Sequence, residues 1–343
     1  MELAQAAPAL LDQVPAELNS KIKQEFLQSM VEVTTGVCAT IDDVAKDLSS
    51  TIKFLEGLCK KEELLLYAAS LHPFSKAREQ KLSHNPRYKE IRDELQIVGR
   101  RLITQGLHVH IGMPDGPTAI KVFDQIRVFL PLLLALSASS PFFQGEDTGL
   151  YSYRTKLFNA LPRSGMPEAL GSWDNYLLLV DLLKKAGIIH DVRDIWWDVR
   201  PHPKLGTIEV RICDLPSSFS EILVITAIVQ ALVAELASGN LSCPVIHREV
   251  ISNNKWNAVR RSLDGIYVEP YNLDQITIKD GLFDLVNRLK PASNSLGSSD
   301  YLAKIDSIME KGTSAHCQRR FYAQTIDFEY MIKEMRKGFW NFE

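Results

Sequence analysis

A chain of 343 residues, 45% hydrophobic and 24% charged, has the composition of an ordinary globular protein with room for a large core. Its net charge of -3 provides no basic field to hold a nucleic-acid backbone, which sets that class of partner aside. The five cysteines (Cys38, Cys59, Cys213, Cys243, Cys317) are odd in number and form no CxxC, which speaks against a disulfide framework or structural zinc and suits a reducing cytoplasm.

The N-terminal run MELAQAAPALLDQ lacks the basic start and apolar centre of a secretory signal. In chain order, the first expected strand is Met30 to Val33, β-branched and closed by Thr-Thr-Gly. Ile41 to Ala69 predicts a long helix capped by Thr40 with Asp42 and Asp43, broken by His72-Pro73-Phe74. A charged stretch follows over 76–98, with a helix from Pro86. GLHVHIG at 106–112 is a short alternating strand bounded by glycines, and Pro114-Asp115-Gly116 is a turn. Residues 117–138 predict one strongly apolar helix. Residues 139–170, rich in Ser, Gly and Pro, read as a long loop of the kind that carries function. Trp173 to Ala186 is a helix. Ile195 to Arg200 and Thr207 to Cys213 are strands joined by a six-residue loop, and 218–238 is a helix.

Two apolar runs, Val128 to Ser137 and Ile222 to Ala237, test for membrane insertion. The first is too short and the second contains Gln230 and Glu235, so both are expected as buried helices with no membrane partner. From 245 to 343 the pattern is helical and polar, with a Gly/Ser-rich break at 293–299. With no repeat or linker, the expectation is a single α+β domain over 1–343, an antiparallel sheet with helices over one face.

Strand alternation sorts the candidate residues. Glu209, Arg211 and Cys213 share one strand face while Ile208, Val210 and Ile212 share the other. Asp198 and Arg200 alternate with Trp197 and Val199. His108 and His110 share a face, and Glu32 alternates with Val31 and Val33. One reading is a solvent-exposed sheet face laced with cross-strand ion pairs. The other is a site for metal-dependent phosphoryl transfer, in which glutamates and a histidine bind magnesium or manganese and arginine forks bind phosphate or carboxylate oxygens. The alternation leaves both open.

GLHVHIG at 106–112, WWDVRPHPKLGTIEVRICD at 196–214, SMVEVTTGVC at 29–38 and SASSPFFQGEDTGLYSYRTKLFNALPRSGMP at 137–167 resemble the hallmark segments of the second glutamate–cysteine ligase family, the carboxylate–amine ligases. The resemblance implies a glutamine-synthetase-like catalytic domain with metals and ATP on the concave, polar face of its sheet. It implies metal-binding roles for Glu32, His108 and Glu209. Arg211 is implied to steady the transferred phosphoryl group, and His108 and Arg211 to contact the nucleotide side of the site. Arg154 is implied to hold the substrate carboxylate, with Arg200 and Asp198 shaping the same cavity. The implied activity is ATP-dependent joining of glutamate to cysteine, with Mg2+ or Mn2+, acting on small molecules.

Family members open with a Gly-x-Glu-x-Glu strand. Here Met1-Glu2-Leu3 runs directly into AQAAPALLDQ, so that strand and its two metal-binding glutamates are expected to be missing, and a sheet edge left open would favour a homo-oligomer. A non-catalytic relative and a zinc hydrolase built on His108 and His110 are the competing readings. Cys213 is expected as a small core-like residue. Which of Trp196 and Trp197 faces the core is left open by the alternation.

Overall fold

Capping chemistry sets where the first long helix begins and ends. The structure, a computed structural model, describes residues 1–341. After α1 (Ala7–Leu11), strands β1 (Ile22–Gln24) and β2 (Val31–Val33) pair antiparallel, with Lys23 opposite Glu32. A reciprocal capping box between Thr40 and Asp43 opens α2 (Ile41–Lys61). The helix stops at Lys61 rather than running to Ala69. Glu63 adopts φ of 55°, and Leu64 N–H donates to Cys59 C=O at 2.8 Å, a left-handed cap that reverses the chain. Asn85 caps α3 (Pro86–Leu95).

After β3 (Val109–Gly112), the apolar stretch expected as one helix is two, α4 (Gly116–Ile126) and α5 (Leu130–Ser137). Pro131 has no N–H to give the carbonyl one turn back, and the chain breaks there. The expected loop over 139–170 carries regular structure: β4 (Phe142–Phe143) paired with β5 (Glu146–Asp147), α6 (Tyr153–Asn159), and β6 (Ser164–Gly165). Next come α7 (Trp173–Lys185), β7 (Trp196–Trp197, parallel to β6), β8 (Val199–His202) and β9 (Thr207–Val210). The C-terminal part is α8 (Phe219–Ser238), α9 (Arg248–Arg261), the unanticipated hairpin β10 (Ile266–Val268) and β11 (Gln275–Thr277), and α10 (Ile278–Ser295). Four short helices, α11 (Ser299–Ala303), α12 (Ile305–Lys311), α13 (Ser314–Thr325) and α14 (Phe328–Lys337), complete it.

The fold is thus a mixture of helices and antiparallel strands. Its central sheet has three strands in the order β3-β9-β8. The β1–β2 pair that carries Glu32 is separate from it in hydrogen bonding. Val109, Val199, Ile208 and Val210 point to one side of the sheet and join the main core with α4, α5 and α8. Among the described residues, α8 is the one helix long and apolar enough to cross a membrane, and it is apolar all round because it runs through this core.

Candidate active site

Register decides which side chains meet. His110, Glu209 and Arg200 stand directly opposite one another across β3, β9 and β8. Beyond β9, Arg211 N–H donates to Asp198 C=O at 2.8 Å, which keeps that ladder in step. By the two-residue period, Arg211, Asp198 and His108 form the next row on the same face. One face of a small sheet therefore presents two imidazoles, a carboxylate, two guanidiniums and an aspartate, while the other is apolar around Val109, Val199 and Val210.

Glu209 is the hub, only 2% exposed. Its Oε2 accepts from Arg200 Nε at 3.0 Å and Nη2 at 2.6 Å, and its Oε1 accepts from Arg211 Nη1 at 2.5 Å. His108 Nδ1 and His110 Nε2 lie 3.7 and 3.6 Å from the same Oε1. Burial by itself would raise this carboxyl's pKa, but Arg211 and Arg200 hold it well below the usual carboxylate range. Desolvation, and then the Arg211 charge, push His108 well below the ordinary imidazole value; desolvation also lowers His110. Both rings are therefore neutral near pH 7, with His110 Nδ1 within 3.0 Å of Thr207 Oγ1. His202, which no sequence motif singled out, meets the His110 ring edge-on at 5.7 Å.

The arginines differ in how much donor capacity they have left. Arg200 gives its remaining Nη1 to Val192 C=O and Ile195 C=O, at 3.2 and 2.8 Å. Arg154, expected to hold a substrate carboxylate, donates Nη1 to Ile212 C=O and Nη2 to Arg211 C=O, both at 3.2 Å. Asp198 is buried against Lys255 Nζ at 2.6 Å. Substrate contact by Arg154, Arg200 or Asp198 would require these bonds to open. Arg211 gives Nη1 to Glu209, and its buried Nε, like that of Arg154, has no hydrogen-bond partner.

A bulge explains the Arg154 site and corrects the place of Cys213. Gly106 pairs with Asp214 and Leu107 N–H donates to Cys213 C=O at 3.2 Å, one residue out of step with the Val109–Val210 pairing. The extra residue ends the alternation read through Cys213. The thiol turns into the core, where burial pushes its pKa up to about 12. Gly106 is required beside the bulge, since a Cβ there would sit 2.3 Å from Arg154 Nη2. Trp197 packs on the core side near Phe123, and Trp196 lies under the Arg163 guanidinium.

Three groups escaped the sequence reading. Lys255, on α9, neutralises Asp198 and also contacts Asn159 Oδ1 at 3.2 Å. Asp214 is fully buried in a pocket of Ser139 N–H (3.0 Å), Ser140 Oγ (2.7 Å) and Ser152 Oγ (2.9 Å), with Arg154 Nη1 3.8 Å away. The run SASS hid this pocket inside an apparent loop. Glu25, just after β1, is pushed up by burial and by the nearby Glu32 carboxylate and drawn down by Arg211. Glu32 itself is exposed and lies on the separate β1–β2 pair. The only available signal for Glu25 was its presence in the same segment as Glu32.

The donor chemistry suits the divalent metal that the resemblance implies: an ionised carboxylate at Glu209, a neutral and partly exposed imidazole at His108, and carboxylates at Glu32 and Glu25. In the present rotamers both Glu209 oxygens are occupied by guanidiniums. Among the described residues no three His, Cys, Asp or Glu side chains are arranged around one ion position.

The profile described as Glutamate-cysteine ligase family 2 (GCS2) matches residues 1–338. A protein of Gloeobacter violaceus named "Putative glutamate--cysteine ligase 2" is 38% identical over 325 residues, covering 94% of this chain and 87% of its own length. A namesake from Solibacter usitatus is also 38% identical, covering 94% and 85%. Among solved structures, a bifunctional glutathione synthetase from Pasteurella multocida superposes with a TM-score of 0.67 at 14% identity, covering 94% of this chain and 48% of that one. A glutamate–cysteine ligase from Francisella tularensis in complex with AMP gives 0.63 at 13%, covering 93% and 81%. These two share the fold.

Proposed function

The chain belongs to glutamate–cysteine ligase family 2, and from that premise we propose that it uses ATP to join the γ-carboxylate of glutamate to the amine of cysteine. The observation that carries the reading is the charged sheet face, where an ionised Glu209 is held between Arg200 and Arg211. In this reading the terminal phosphoryl of ATP passes to the substrate carboxylate, leaving ADP and an acyl phosphate. The amine then attacks the acyl carbon, phosphate departs, and the amine proton is released to solvent.

Arg211 offsets the charge that builds on the oxygens of the transferring phosphoryl. Arg200 fixes Glu209, and Arg154 fixes the carbonyls of Arg211 and Ile212, so both act as positioning groups. Mg2+ or Mn2+, held by Glu32, His108 and Glu209 with Glu25 nearby, would supply further neutralisation of phosphate charge. The substrates are small molecules, and the five unpaired thiols fit a reducing cytoplasm. The test is coupled ADP release with glutamate and a panel of amines, in magnesium or manganese. Release that needs both glutamate and cysteine is expected. ADP release unaffected by any carboxylate, or none with any amine, sinks the reading.

A further inference from the structure

Helix α3 has little core to hold it. Of its ten residues only Leu95 is buried, and most of the others are charged. It is also shorter than the roughly 12–15 residues an isolated helix needs in water. Such a helix stands at the low end of local stability and depends on what ties its ends. Gly99 closes it into one body with the turn that follows, since a Cβ there would lie 3.0 Å from Leu95 Cβ. The chain on both sides is pinned. Ser83 N–H donates to Phe26 C=O at 3.0 Å, and Thr104 bridges Leu71. Between these points Gln96 has φ of 50° and ψ of −124°, outside the regions open to most side chains, which marks a bend where α3 can turn.

The ties of α3 lie on two halves of the charged site. Arg87 Nη2 donates to Asp194 Oδ1 at 2.9 Å. Asp194 Oδ2 accepts from His190 N–H and Asp191 N–H, at 2.9 and 3.0 Å, and so fixes the turn whose Val192 and Ile195 carbonyls hold Arg200 on Glu209. Glu94 faces Arg163 at 3.6 Å. On the other half, Tyr88 lies edge-on to Phe26 at 5.5 Å and donates to Gln24 C=O at 3.4 Å, the residues on either side of Glu25. The β1–β2 pair is separate from the central sheet in hydrogen bonding. The first turn of α3, through Arg87 and Tyr88, therefore links the end of β1 to the support of Arg200.

We propose that α3 is a lid bridging the two halves of the site, latched by Arg87 on Asp194, and that Arg87 is a positioning residue for the reaction. Open, the lid admits substrates. Latched, it holds the β1–β2 pair to the Arg200–Glu209 half and keeps water from the acyl phosphate, a role that rests on the ligase reading above. Water reaching that intermediate would add to the acyl carbon, release phosphate and return the carboxylate, so an open lid consumes ATP without forming an amide.

Hydrogen exchange over residues 86–95, read by mass spectrometry on the full chain, tests the latch without turnover. Exchange there is expected to be faster than in β9 and to slow when ATP and magnesium are added. Arg87→Ala should speed it by roughly fivefold, the worth of one partly exposed ion pair, and Arg87→Lys should return most of the protection. If Arg87→Ala does not fold, Glu94→Lys, which opposes Arg163 with a like charge, should speed exchange in the same segment. The second readout is ADP released with glutamate alone, divided by amide formed with cysteine. It follows the same open population, so Arg87→Ala should raise that ratio by roughly fivefold too, whereas a merely structural change would lower both rates together. Native-like exchange over 86–95 in both variants, no slowing by ATP and magnesium, or faster exchange with an unchanged ratio would each overturn the proposal. A native chain that releases no ADP with any carboxylate would sink the ligase reading instead, and the exchange of 86–95 would still decide the latch.

Discussion

Glu209 and Asp214 are two buried carboxylates on one strand and its continuation, and they are kept in opposite ways. Glu209 is surrounded by formal charge: Arg200 and Arg211 bond it directly, and their fields outweigh its burial. Asp214 is surrounded by neutral donors, two serine hydroxyls and a backbone N–H; burial there outweighs Arg154 and raises its pKa. The same residue class thus serves two ends. One region keeps a permanent charge beside unspent guanidinium capacity, an arrangement suited to binding and transferring anions. The other uses its carboxylate as a hydrogen-bond acceptor that locks β9's continuation to the chain after α5, an arrangement suited to holding a strand still.

The largest expected effect comes from removing the charge in the first region while keeping its shape. Glu209→Gln should lower the rate of ADP release by about 10²–10³, the usual loss when a preorganised electrostatic group is removed. It should also destabilise the fold by about 3–5 kcal/mol, because Arg200 stays buried without its counter-charge. Asp214→Asn should leave the rate within about tenfold, since an amide oriented with its oxygen toward Ser139 and Ser140 can still donate to Ser152. Rates measured at a temperature where both variants are folded make the comparison. Equal losses would show that the two carboxylates are not functionally distinct.

Gly106→Ala probes how the regions are joined. The new Cβ would evict the Arg154 guanidinium, leaving the Arg211 and Ile212 carbonyls without their donor. Unsatisfied buried groups of this kind cost on the order of 1–3 kcal/mol each. If Arg154 positions Arg211, the rate should fall by about 10-fold or more even at a temperature where the variant is folded. A lower melting temperature with an unchanged rate would separate Arg154 from the chemistry.

Much of this site was legible from period-two alternation: Asp198, Arg200, Glu209 and Arg211 fall on one face because β8 and β9 stay in register to that point. Alternation failed at Cys213, where the bulge at 211–214 adds a residue that no spacing announces. It was silent on Lys255, which reaches Asp198 from a helix 57 residues away, and on Asp214, whose partners are serines in what looked like a loop. Helix ends failed for a related reason. Pro131 divides α4 from α5 in a run whose hydrophobicity is continuous, and Glu63 takes a left-handed conformation that its residue type does not advertise. The short strands β10, an Ile-Tyr-Val run whose Tyr267 enters the core, and β11 lie within a stretch read as helical and polar.

The smallest expected effect is the dependence of stability on pH, and it has opposite sign in the two regions. Glu209 has a folded pKa below its unfolded value of 4.5, so its contribution is present above that value and is lost as pH falls through the folded one. Asp214 has a folded pKa above its unfolded value of 3.8, so the native state binds the proton more tightly. Its contribution is complete below about pH 3.8 and is lost as pH rises through the raised folded pKa. Asn at that position does not titrate. Urea unfolding of the native chain and Asp214→Asn in a pH series from 4 to 8 should therefore show the variant gaining on the native chain as pH rises. Glu209 is unchanged in both chains and cancels from the difference. A gap that widens in favour of the native chain at high pH would mean that Asp214 is an ionised partner stabilised by Arg154, and the two carboxylates would then be kept by one mechanism.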